Sequence, residues 1–136
     1  MPKSAREKLA ASLPPKRVRL EKTFAGIAIG KLMFVASPKI VRDYIDGIPW
    51  GQTRTIPEMR DDLACENDCD ATCPVSTAIF ARVAAEAALE DLEDGLAPSE
   101  VTPFWRLIGP NDKIAGRLTV DTQWIADRRE VEGATP

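Results

Sequence analysis

Histidine is missing altogether from this 136-residue sequence. Its absence removes the usual general base at neutral pH and the commonest metal-binding side chain. A Ser-His-Asp or Cys-His mechanism is therefore excluded within one chain. Cysteine is scarce: Cys65, Cys69 and Cys73 are the only three. An odd number in a chain read as intracellular argues against a disulfide framework. A metal or cluster would need a fourth ligand, and this spacing matches neither zinc pairs nor ferredoxin runs. Free, partly buried thiols are expected, with no metal and no cofactor. Long apolar runs are missing too, since none approaches the roughly 20 residues that a membrane span needs. No signal pattern opens the chain, so the expected location is the cytoplasm, with no membrane partner.

What is present is ordinary for a globular protein: 44% apolar and 29% charged residues, enough for one domain around one core. The net charge of −3 is unevenly spread. Residues 1–31 carry eight basic side chains against Glu7 and Glu21, whereas residues 61–100 carry eleven acidic ones against Arg82. Such asymmetry fits a nucleic-acid-binding arm, and it equally fits solvated charge. Residues 1–22, with seven basic residues and Pro14-Pro15, read as a basic flexible leader with a helical turn or two. Residues 23–133 read as the single domain.

Within the domain, residues 32–35 form an apolar run that fits a short buried strand or an extended packing segment. Ser37-Pro38 places an N-cap before a proline at the first helical position. Ile40, Val41, Tyr44, Ile45 and Ile48 then recur at helical spacing until Gly47 and Pro49 stop the helix. Thr55-Ile56-Pro57-Glu58 is a capping box that opens a second helix to about Ala64. Pro74 opens the longest helix, which runs to Gly95, with an expected apolar stripe of Val75, Ile79, Val83 and Ala87. Val101-Thr102-Pro103-Phe104-Trp105-Arg106-Leu107-Ile108 is a short apolar arm. It is followed by the turn formers Gly109-Pro110-Asn111-Asp112 and a second arm through Leu118, which together read as a β-hairpin. Asp121 caps a last helix ending at Gly133. Three helices, a hairpin and a helix describe a mainly α fold with a small β-hairpin wing, a winged helix-turn-helix.

Two segments in this order resemble the C-terminal, DNA-binding domain of the O6-alkylguanine DNA alkyltransferases and their alkyltransferase-like relatives. Ile48-Pro49-x-Gly51-x-Thr53-Arg54-Thr55 resembles the start of the family's IPxGxxxTYGxLA segment, although its closing Leu-Ala falls on Met59-Arg60. Residues 101–107 resemble the IPCHRV active-site segment, 109–116 the wing turn, and 124–132 the closing helix. The resemblance covers roughly residues 38–132. The family's nucleophilic cysteine falls on Phe104 and its neighbouring histidine on Trp105, while Pro103 and Arg106 are kept. The tyrosine that helps rotate the target phosphate falls on Ile56, and the intercalating arginine falls on Ala78, with Arg82 one turn later as the substitute.

The resemblance implies a non-enzymatic DNA-binding protein related to DNA repair, one that recognises damaged bases without transferring an alkyl group. Arg54, Thr55, Ser76, Thr77, Arg82 and Arg106 are the implied DNA-binding residues, and Pro103 and Phe104 the implied former alkyl pocket. Strand alternation would send Phe104 to that pocket and Trp105 to the core. Two bland readings stand beside these: Arg82 paired with Glu86 at i+4, and Arg54 simply solvated. A rival function is a protein–protein interaction module on the same scaffold, reached through the acidic 61–100 region, because carboxylates repel phosphate. A third reading, an enzyme using Cys73 at a helix N-terminus, lacks a base and an oxyanion partner.

Overall fold

The computed structural model describes residues 3–134. Among the described residues, five α-helices and a three-stranded sheet make a mainly α structure. The helices are α1 (Ala5–Ala10), α2 (Pro38–Asp46), α3 (Ile56–Glu66), α4 (Pro74–Glu93) and α5 (Thr122–Val131). The strands are β1 (Lys16–Arg19), β2 (Leu32–Val35) and β3 (Ala71–Thr72), in the order β1-β2-β3. β1 pairs antiparallel with β2, and β3 pairs parallel with it. No described helix is long and apolar enough to cross a membrane.

The caps form as their residue types require. Ser37 Oγ accepts from Ile40 N–H and opens α2. Thr55 and Glu58 satisfy each other's backbone N–H groups at the start of α3, which removes two of the orphan donors at a helix N-terminus. Gly95 follows α4 at φ +101°, a left-handed geometry open to glycine at little cost.

α4 carries the core on a ladder of alanines. Ala81 and Ala84 meet Phe34, Val41, Ile45, Met59, Leu63 and Leu107. Ala85 and Ala88 meet Phe104, Trp105, Ile108, Ala115 and Ile125. Of the expected stripe, Ala87 is buried and Val83 half-buried, but the first half is turned outward. Val75 and Ile79 are 53% and 56% exposed, while Thr77, Ala81, Ala84, Ala85, Ala87 and Ala88 face inward. Small side chains let the backbone of α4 approach its bulky neighbours closely, and close packing outweighs the size of the residue buried.

The leader is not a free arm. Ser4 and Glu7 form a capping box for α1, and α1 lies along the end of α4. The Glu90 carboxylate accepts from the N–H groups of Ala5 and Arg6, and the Arg6 guanidinium reaches Glu90, Asp91 and Asp94. Local charge complementarity between leader and α4 overrides what composition implies.

The expected hairpin at 101–118 is absent. That segment folds as 3-10 turns at Phe104–Arg106 and Ala115–Arg117, with Leu107 and Ile108 N–H both donating to Phe104 C=O. An alternating strand would send half of Phe104, Trp105, Leu107 and Ile108 to solvent. The tight turn buries all four. The turn at 109–112 does form, closed by Asp112 N–H to Gly109 C=O and by Gly109 N–H to Asp112 Oδ2. The sheet is built instead from the leader, residues 32–35 and the segment before α4.

Candidate nucleic-acid interface

Because the alanine face of α4 is turned inward, its opposite face presents Val75, Ala78, Ile79 and Arg82. A groove of about 270 Å3 runs beside it, lined by Ala78, Ile79 and Val83 with Lys8, Arg82 and Arg117. Arg82 Nε donates to Glu86 Oε1 at 3.2 Å, with both side chains partly exposed. An exposed i,i+4 pair of this kind contributes only about 0.3–0.5 kcal/mol, so phosphate competes with it readily. Glu86 lines the groove as the partner of Arg82, and the acidic end of α4 beyond it is met by Arg6. Burial pushes the Glu90 carboxyl up, but the N–H groups of Arg6 and Ala5 and the Arg6 guanidinium outweigh it and hold the carboxyl below its usual range. The repulsion expected from residues 61–100 is thus partly neutralised within the chain.

The other implied contacts are distributed differently. Thr77 is fully buried, and its hydroxyl donates to Cys73 C=O at 2.6 Å, so it cannot reach phosphate. Ser76 is half-buried, and its Oγ finds no hydrogen-bond partner among the described residues. Thr55 is spent on its capping box. Arg54 donates to Thr53 C=O and to Gln52 Oε1. It borders a cleft of about 490 Å3 together with Asp43, Tyr44, Asp62 and Glu66, an acidic setting ill suited to phosphate. Burial pushes the Tyr44 phenol up, and its hydrogen bond to Asp62 adds to that shift.

Arg106 is an internal residue. Its side chain is 13% exposed, its Nε and Nη2 donate to Glu132 at 2.8 and 3.1 Å, and its Nη1 donates to Ile48 C=O at 2.8 Å. Arg54 N–H donates to Arg106 C=O at 2.8 Å. These bonds bring segments 48–55 and 101–107 side by side. Trp105 Nε1 donates to Glu132 Oε2 at 2.8 Å, and Arg129 Nε donates to Trp105 C=O at 2.7 Å.

Phe104 and Trp105 do not divide between pocket and core, because both are buried. Phe104 stacks on Trp124 with centroids 5.8 Å apart and meets Trp105 edge-on at 5.4 Å. The Phe104 ring therefore fills its own site. Pro103 is buried at the wall of a separate pocket of about 320 Å3, shared with Trp50, Trp105, Arg106 and Arg128.

Sequence reading placed Lys8 only within the basic arm and missed Arg117, Trp50 and Arg128. Trp50 and Arg128 had one available signal: an aromatic in a Pro-Trp-Gly turn, and an arginine doublet on a helix, where adjacent residues take different faces. Arg129 goes inward, where burial lowers its pKa against the nearby charge of Asp112, and Arg128 borders the pocket. Among the described residues, no group of three or more acidic or cysteine side chains is placed to hold a metal. No family model matches the chain, and no curated protein and no solved structure is significantly similar to it.

Proposed function

We propose that this protein binds duplex DNA without chemistry, with the exposed face of α4 as its contact surface. The observation that carries the reading is the composition of that face. Ala78 and Ile79 form an apolar floor flanked by three cations, Lys8, Arg82 and Arg117, against the single carboxylate of Glu86. Small and apolar side chains suit close contact with a groove wall, and the flanking cations suit the phosphates on either side. The adjacency of segments 48–55 and 101–107 also supports the resemblance, since those two segments carry it. With Phe104 enclosed, any preference for an alkylated base runs through another surface.

Ile79→Asp tests this. The residue is exposed, so folding should change by about 0.5 kcal/mol or less. Affinity for a duplex, read by fluorescence anisotropy, should fall by about tenfold or more, because a carboxylate would then face phosphate. Undiminished binding in that variant would remove α4 from the interface. The same apolar floor favours one rival, a protein partner seated on Val75 and Ile79. Loss of a co-purifying protein with no duplex binding in the parent would select it.

Incubation with a duplex containing O6-methylguanine should add no methyl group to the protein by mass spectrometry, because position 104 offers no thiolate. A methylated Cys73 would overturn the non-enzymatic part of the reading.

A further inference from the structure

The pocket beside Pro103 lies apart from the α4 face and has the character of a small-molecule site. At about 320 Å3 it stands at the lower end of the range for ligand pockets, room for one ring system and one polar group. Pro98, Val101 and Pro103 give it apolar walls. Trp50 stands at its edge, 59% exposed, with the Arg106 guanidinium 5.8 Å from its ring centroid. The two cations in the pocket are not equivalent. Arg106 is consumed by Glu132 and Ile48 C=O. Arg128 lies over Trp105, 5.2 Å from the ring centroid. Its Nε is buried without a hydrogen-bond partner, and no described carboxylate forms an ion pair with it. Because Arg128 borders the pocket, an anion entering it would give this guanidinium the charged partner it lacks among the described residues. Arg is also the side chain best shaped to hold a planar or tetrahedral oxyanion through two N–H groups.

We propose that this pocket binds an aromatic ring carrying one anionic group, of the nucleoside monophosphate class, with the ring against Trp50 and the phosphate on Arg128. Asp46 also lines the pocket, as does Glu132 paired with Arg106, and Asp46 opposes additional negative charge, which favours a monophosphate over a di- or triphosphate. The same chemistry has two sources, a free nucleotide or the 5′-phosphorylated end of a single strand. Neither uses the α4 face, so this site stands or falls separately from duplex binding.

The full chain is titrated by calorimetry with adenosine 5′-monophosphate, adenosine, inorganic phosphate and a 5′-phosphorylated thymidine oligonucleotide. The monophosphate or the phosphorylated strand should bind saturably, with adenosine and inorganic phosphate about tenfold weaker or worse. Arg128→Gln should weaken binding about tenfold or more, and Arg128→Lys less, since charge is kept but the fork is lost. Trp50→Ala, at an exposed position, should weaken binding while leaving the melting temperature unchanged, which keeps the test sound if an Arg128 variant fails to fold. Tighter binding of the strand than of the monophosphate assigns the source as a strand end, and the reverse assigns a free nucleotide. No saturable binding of either, or binding unchanged in both Arg128→Gln and Trp50→Ala, would overturn the proposal. Ile79→Asp should leave this binding intact whatever it does to duplex affinity.

Discussion

Glu132→Ala should destabilise the fold by about 3–5 kcal/mol, the scale of removing one partner from a buried ion pair. The Glu132 side chain is only 1% exposed, and its carboxylate accepts from Arg106 Nε and Nη2 and from Trp105 Nε1. Without it, a guanidinium and an indole N–H lie buried and unmatched. Three parts of the chain would loosen together: the end of α5, the Phe104–Arg106 turn, and the Ile48 carbonyl that Arg106 also holds. Glu132→Gln should cost less, because its amide oxygen still accepts a hydrogen bond. Burial pushes the Glu132 carboxyl up, but hydrogen bonds from Arg106 and Trp105 and the Arg106 charge outweigh it, leaving the folded-state pKa below the ordinary value of 4.5. A carboxyl depressed in the folded state contributes stability above its unfolded pKa and loses it as pH falls through the folded pKa. Wild-type stability should therefore drop on acidification below about pH 5, and the drop should be shallower in Glu132→Gln. Urea melts across that range measure both, and an identical acid profile for the two proteins would contradict this role.

Phe104→Ala should cost about 3–5 kcal/mol as a fully buried aromatic truncation, a fall in melting temperature of roughly 10–15 °C for a domain of this size. The ring is enclosed by Trp105 and Trp124 in stacked and edge-on geometry, contacts worth about 0.5–1.5 kcal/mol beyond area burial. Trp105→Ala should match or exceed it, because that change also strips a donor from Glu132. Calorimetric melts of both decide the matter. A Phe104→Ala protein as stable as the parent would mean that the ring lines an open pocket after all.

That pair of aromatics also marks where the sequence stopped being legible. The caps at Ser37, Thr55 and Asp121 and the glycine after α4 rest on bonds within a few residues, and each helix begins and ends close to where those residues place it. The hairpin failed because alternation was inferred from two short apolar arms, and an arm with four buried side chains within five residues is better served by a turn that burrows inward. The first half of the α4 stripe failed because Val75 and Ile79 outrank alanine in hydropathy, whereas packing against Phe34 and Trp105 selects for size; Ala87, in the second half, is buried as expected. The leader was legible only in pairs 85 residues apart, such as Ala5 with Glu90, which no local pattern reveals. Of the implied contact residues, Arg82 stands on the exposed face. Arg106 was visible as an arginine in a motif, but nothing in its neighbourhood announces a carboxylate 26 positions away.

The salt dependence of duplex binding decides whether the exposed face of α4 contacts DNA. Anisotropy titrations of one duplex, with and without O6-methylguanine, are run between about 50 and 200 mM salt on the wild type and on the Arg82→Ala/Arg117→Ala double variant. The account predicts binding at the low end and a logarithmic affinity that falls linearly with log salt. Loss of two phosphate contacts should make that slope shallower by about 1.8 in the double variant. No binding at the lowest salt, or a slope the double variant leaves unchanged, would contradict the account.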